Sequence, residues 1–159
     1  MIETTPTRAN VVNTLGRWIV ITTLLHLAWE VVQLRLYTLA DSGDLGEIAW
    51  AIAHCTAGDA IISAATFGLV AAVFRAWNWP AMAPVAGGAL LIVAGVAYTA
   101  FSEWRNVYGL GSWAYAQTMP LVFGIGAAPL LQWIIVPLAT LLLLRRYPTP
   151  RIGTGRRSG

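Results

Sequence analysis

Four apolar runs dominate the chain, roughly Arg17 to Thr38, Glu47 to Phe74, Met82 to Glu103 and Leu121 to Leu144. Each is long enough to cross a hydrocarbon core of ~30 Å, which takes ~20 helical residues. Lipid offers no partner to unpaired backbone groups, and the alternating pattern of a barrel strand is missing, so the runs are expected to be helices. The expected fold class is all-α, an integral membrane bundle of four transmembrane helices. Of the 159 residues, 57% are hydrophobic and 11% charged, too little charge to cover a soluble domain of this size.

The remaining charge reads as topology. All ten cationic residues are arginine. Arg8, Arg17, Arg75, Arg145, Arg146, Arg151, Arg156 and Arg157 fall on one side of a four-crossing arrangement, against Arg35 and Arg105 on the other. The positive-inside rule then puts both termini in the cytoplasm, and a bacterial inner membrane is the expected setting. The net charge of +3 is spread over segment ends and the tail, which argues against a nucleic-acid partner. Three parts follow: a cytoplasmic N-terminal segment over 1–16, a membrane domain over 17–146, and a basic tail over 147–159 expected to be disordered. Trp18, Trp77 and Trp79 are expected at the inner interface and Trp50, Trp104 and Trp113 at the outer one, leaving Trp29 and Trp133 within the bundle. A single cysteine, Cys55, rules out a disulfide within one chain. A chain this small is also compatible with a homodimer.

Function is suggested by what interrupts the apolar runs. His26, Glu30, Gln33 and Tyr37 are spaced i, i+4, i+7 and i+11, one face of a helix with ~3.6 residues per turn. In the second run Cys55, Asp59 and Thr66 share a face with Ser63 beside them, while His54 lies ~100° round from Cys55. Thr99, Glu103 and Asn106 share a face at the end of the third. Gln132 and Trp133 sit in the fourth with Pro129 and Pro137, where Pro137 cannot donate to the carbonyl of Trp133. His26 lies ~13 Å beyond Arg17 at a rise of ~1.5 Å per residue, near the midplane.

Ionisable groups at that depth face the bundle interior, pair, or become neutral, and they mark functional sites by default. His26, Glu30, Asp59 and Glu103 are therefore the candidate catalytic residues. Trp29, Gln33, Tyr37, His54, Asn106, Gln132 and Trp133 are the candidate ligand-binding residues. The competing reading is that the polar groups only fasten helices together. A zinc or iron site built from His26, Glu30, His54, Asp59 and Glu103 ranks lower, because no diagnostic ligand spacing is present, and neither metal nor cofactor is expected.

The order of these features resembles the EXPERA family of membrane proteins. The resemblance lies in His26, Leu27, Ala28, Trp29 and Glu30 with Tyr37 beyond, in Asp59, in Ser102, Glu103 and Trp104, and in Trp133 followed by Pro137. It spans roughly Arg17 to Arg145. One departure stands out: the family's catalytic members carry an asparagine three residues before the fourth-helix tryptophan, and here that position is Leu130. The resemblance implies a membrane-embedded acid/base enzyme isomerising or cyclising a carbon–carbon double bond of a sterol-like or isoprenoid lipid. In that chemistry Glu30 and Glu103 are the acid/base pair, His26 orients or relays protons, and Trp133 with Trp29 stabilises a carbocation. Other members of the family bind lipids or drugs without catalysis, so a lipid- or amine-binding or transport protein with the same cavity is the alternative.

The arginine distribution generates a direct test. Topology reporters fused after Arg75 and after Arg146 are both expected to read cytoplasmic; a signal from the opposite side at either position overturns the four-crossing orientation.

Overall fold

The computed structural model describes residues 8–146, so the expected basic tail over 147–159 and the first seven residues lie outside the described residues. Five helices form: α1 (Arg8–Gln33), α2 (Leu45–Val73), the short α3 (Trp79–Met82), α4 (Pro84–Trp104) and α5 (Ala127–Arg146). Four of the helical segments are long and apolar enough to cross a membrane. The protein is an all-α integral membrane bundle in which α1 lies between α2 and α5, and α4 closes the ring against the same two. Apolar side chains such as Val20, Leu24, Ile61, Leu69, Val93 and Leu142 stay exposed along the outside, as helices solvated by lipid require.

The boundaries differ from the sequence expectation at three places. α1 begins at Arg8, so part of the expected N-terminal segment is helical. It also stops at Gln33, giving way to 3-10 turns over Leu34–Leu36 and Thr38–Asp41. Tyr37 between them is extended, with φ −116° and ψ 148°, and therefore does not continue the helical stripe of His26, Glu30 and Gln33. The fourth span starts at Ala127, because Leu121–Val122 (β1) and Ile125–Gly126 (β2) form a small hairpin ahead of it. Phe123 and Gly124 make its turn, both with positive φ, and the Tyr108 hydroxyl donates to the Gly124 carbonyl at 2.7 Å. Asp44 caps α2, accepting from the backbone of Gly46 at 2.8 Å and Glu47 at 3.1 Å.

The two ends of the bundle are built differently. At the end carrying the termini, Trp18, Phe67, Val70, Ala71, Trp79, Leu91 and Leu141 form a solid core. Trp18 and Trp79 are fully buried there, which corrects the expectation that they anchor an interface. Trp18 packs against Phe67 and Trp79 with ring centroids 5.4 and 5.8 Å apart, and its indole donates to Ser63 Oγ at 3.0 Å. Ser63 is thus consumed by packing, and Thr66 bonds back to the Ile62 carbonyl at 2.8 Å. Trp77, Trp50 and Trp104 remain exposed, as interfacial tryptophans would.

Close approach of the helices depends on glycines of α4. A Cβ at Gly87 would collide with the Trp79 ring, and one at Gly95 with the Trp133 ring. Trp133 is 1% exposed, so the indole has little room to retreat. Gly95→Ala is expected to destabilise the fold by ~1–3 kcal/mol, the usual range for overpacking. Denaturant titration in detergent micelles reads this as a lowered midpoint; an unchanged midpoint means α4 and α5 can separate freely.

Candidate functional site

The other end of the bundle is hollow. A cavity of about 400 Å³ lies between the helices, lined on its polar side by Glu30, Gln33, Tyr37, Asp59, Glu103 and Gln132. It falls within the ~300–1,000 Å³ usual for small-molecule pockets. His54, Asn106 and Trp133 also line it, whereas Trp29 and His26 do not. Among the described residues no group of three His, Cys, Asp or Glu side chains is arranged to hold a metal ion.

One amide organises the deeper wall. Gln132 of α5 is 2% exposed, and its Nε2 lies 2.9 Å from His26 Nδ1, 3.1 Å from Glu30 Oε1 and 2.8 Å from Asp59 Oδ2. An amide nitrogen has only two hydrogens, so three acceptors cannot all be served at once. His26 Nδ1 is also 3.4 Å from Asp59 Oδ2, and a proton on that ring nitrogen relieves the shortage by turning it into a donor to Asp59. The histidine is fully buried, with its ring 5.0 Å from that of Trp133.

Gln33 extends the cluster along α1. Its amide donates to Glu30 Oε1 at 2.9 Å and to Gln132 Oε1 at 3.4 Å, and its own oxygen accepts the Trp29 indole N–H at 3.0 Å. Trp29, expected to offer a π-face inside the bundle, is half-buried and acts through this N–H, away from the cavity.

A second carboxyl sits nearer the loops. Glu103 Oε2 accepts from the Tyr115 hydroxyl at 2.7 Å and the Tyr37 hydroxyl at 3.2 Å. The loop that carries Tyr115 is held by an isolated bridge between Tyr37 and Tyr115. Thr38 N donates to Ala114 O at 3.0 Å and Ala116 N to Leu36 O at 2.9 Å. Gly126 leaves room for the Tyr115 ring. After Glu103 the chain widens into a π-helical turn, Arg105–Leu110, ended by Gly111 in the left-handed region at φ 63°. Asn106 bonds back to the Ser102 carbonyl at 2.8 Å.

The candidate residues thus divide. His26, Glu30, Gln33 and Asp59 meet at Gln132, while Glu103 and Tyr37 form a separate pair on the same cavity. His54 is exposed at the rim, its ring 5.7 Å from that of Trp50. Sequence reasoning missed Tyr115. It lies in a loop outside every apolar run, so no helical spacing connects it to Glu103. Comparison with family models, curated proteins and solved structures finds no match.

Tyr37 and Tyr115, beyond the ends of the membrane spans, share one electrostatic feature. Burial, reinforced by the Glu103 carboxyl, pushes Tyr37 well above the ordinary phenol value, and burial with Glu103 also raises Tyr115. Both therefore remain O–H donors at neutral pH. A raised folded-state value means that the folded protein holds protons the unfolded chain releases. Their contribution is fully present below the ordinary value of 10.0 and is lost as the pH rises beyond it. Stability is expected to fall above about pH 10, and to fall less in the Tyr37→Phe/Tyr115→Phe variant. Denaturant titrations across alkaline pH check this; an identical alkaline slope in both proteins contradicts it.

Proposed function

We propose that the protein is a membrane-embedded acid/base enzyme that isomerises or cyclises a carbon–carbon double bond of a sterol-like or isoprenoid lipid. The observation that carries this reading is two carboxyl groups, Glu30 and Glu103, on different walls of one cavity inside an apolar bundle. In water these groups would exchange protons with solvent. In a cavity walled by apolar helices they can be presented to an alkene instead.

In the proposed reaction one carboxylic acid protonates an alkene carbon, leaving a carbocation on the neighbouring carbon. The other group, as carboxylate, removes a proton from an adjacent carbon, and the double bond re-forms in a new place. If a second alkene of the same lipid attacks the cation first, the same two proton transfers give a ring. Substrate and product have equal mass in either case. Return of the proton between the carboxyls resets the protein.

Trp133, buried and lining the cavity, supplies an electron-rich face near developing positive charge. His26 holds Asp59, and Gln132 holds both acids of the deeper wall. Tyr37 and Tyr115 steady Glu103. The setting we infer is a bacterial inner membrane with both termini cytoplasmic, supported by the arginine distribution.

Glu30→Gln keeps size and hydrogen-bonding capacity but cannot exchange a proton. Turnover is expected to fall ~100- to ~10,000-fold with folding intact, the range for loss of a positioned acid or base. Mass spectrometry of lipid extracts from cells with and without the gene identifies the substrate–product pair, and the purified variant is then assayed on it. Wild-type turnover by folded Glu30→Gln overturns the acid/base reading. Lipid retained by the wild-type protein without any product identifies a binding protein instead.

A further inference from the structure

We propose that Trp29 is a positioning residue whose indole N–H orients the Gln33 and Gln132 amides, so that Glu30 Oε1 is held by two N–H donors and Oε2 carries the exchangeable proton. This rests on the acid/base reading for the role of that proton, but the orientation itself is a property of the resting protein.

An indole nitrogen can only donate, whereas an amide side chain can turn over and exchange its oxygen for its nitrogen. Trp29 Nε1 lies 3.0 Å from Gln33 Oε1, one helical turn away on α1. The contact fixes which end of Gln33 faces Trp29 and sends its NH₂ group towards Glu30 Oε1 at 2.9 Å and Gln132 Oε1 at 3.4 Å. Gln132 is then fixed in turn, because its oxygen receives Gln33. Its nitrogen is left to donate to Glu30 Oε1 at 3.1 Å and Asp59 Oδ2 at 2.8 Å, while His26 Nδ1, 2.9 Å away, carries its own proton towards Asp59 and needs no donor.

The polarity has a stereochemical consequence. Glu30 Oε1 accepts from both amides, so a proton on that oxygen would point at N–H hydrogens. The acid form of Glu30 therefore carries its proton on Oε2. Trp29 does not line the cavity, so it exerts this influence through Gln33 and not by touching a lipid there. Replacing the indole by a phenyl ring removes the only strict donor in the series. Gln33 is then free to turn its oxygen towards Glu30, and Oε1 loses a donor.

Infrared spectroscopy of the full chain in lipid nanodiscs reads this without any turnover. At acidic pH the C=O stretch of Glu30 is isolated as the difference between each protein and the same protein carrying Glu30→Gln. Trp29→Phe is expected to move this band to higher wavenumber, since the carbonyl accepts fewer hydrogen bonds. Trp77→Phe, at an exposed indole on the opposite end, is expected to leave it in place. Gln33→Leu is expected to raise the band by itself and to make a further Trp29→Phe change silent, as a shared path requires. The proposal is overturned if the band stays put in Trp29→Phe, or if Trp29→Phe shifts it further once Gln33 is gone. A Trp29→Phe protein that does not fold leaves the Gln33→Leu measurement to decide, where an unmoved band is again fatal. Such a failure alongside Glu30-dependent turnover removes the positioning role alone. A shifted band in a protein whose turnover ignores Glu30→Gln removes the enzyme reading and with it the role given to Oε2.

Discussion

Polar groups inside a lipid-solvated bundle have no water to fall back on, and the Gln132 amide shows how this chain meets that constraint. Its nitrogen faces two carboxyl oxygens and an imidazole nitrogen from two other helices. Deleting such an amide would take one donor each from Glu30 Oε1 and Asp59 Oδ2, leaving Gln33 and His26 as their remaining neighbours. The same contacts tie α5 to α1 and α2 where the bundle is hollow and apolar packing is least able to do so. Structural glue and candidate chemistry are therefore one cluster. A group that fastens helices also sets where the carboxyl protons can sit.

The solid end makes the hollow end possible. Trp18, Phe67 and Trp79 interlock, and Gly87 lets the Trp79 ring seat against α4. Helices clamped by close packing at one end can stand apart at the other without the bundle coming undone. Gly95 marks the boundary, since it admits Trp133, which lines the cavity and packs its ring on the fully buried His26. Tyr37 and Tyr115 do the corresponding work near the loops, where a backbone bridge and two phenol contacts to Glu103 hold a connecting segment in place.

Much of this was legible in the residues because hydrophobic length and helical period are local properties. The four spans follow from apolar runs that cannot be accommodated otherwise in lipid. The face shared by His26, Glu30 and Gln33 follows from the helical repeat alone. The continuation to Tyr37 does not, because a helix can end inside an apolar run: the 3-10 turn at Leu34–Leu36 rotates Tyr37 out of register, and it reaches Glu103 through an extended residue instead. Trp18 and Trp79 look like interface residues by position, but Trp18 finds the buried Ser63 hydroxyl and is taken wholly into the core, and Trp79 is buried against Trp18 and Phe67 with its indole N–H unpartnered among the described residues.

The sequence by itself determined that the chain is a four-span helical membrane protein with acids on three of its helices, since burial in lipid depends on composition along short stretches. It also determined that the acids must avoid lipid, for the same solvation reason. Only the tertiary structure decided which of them meet. Asp59 and Gln132 are 73 residues apart and share a hydrogen bond, and Tyr115 reaches Glu103 from a loop with no periodicity to announce it. Those pairings depend on helix rotation and loop path, which are set by how whole side-chain surfaces fit together and so cannot be read from any one segment.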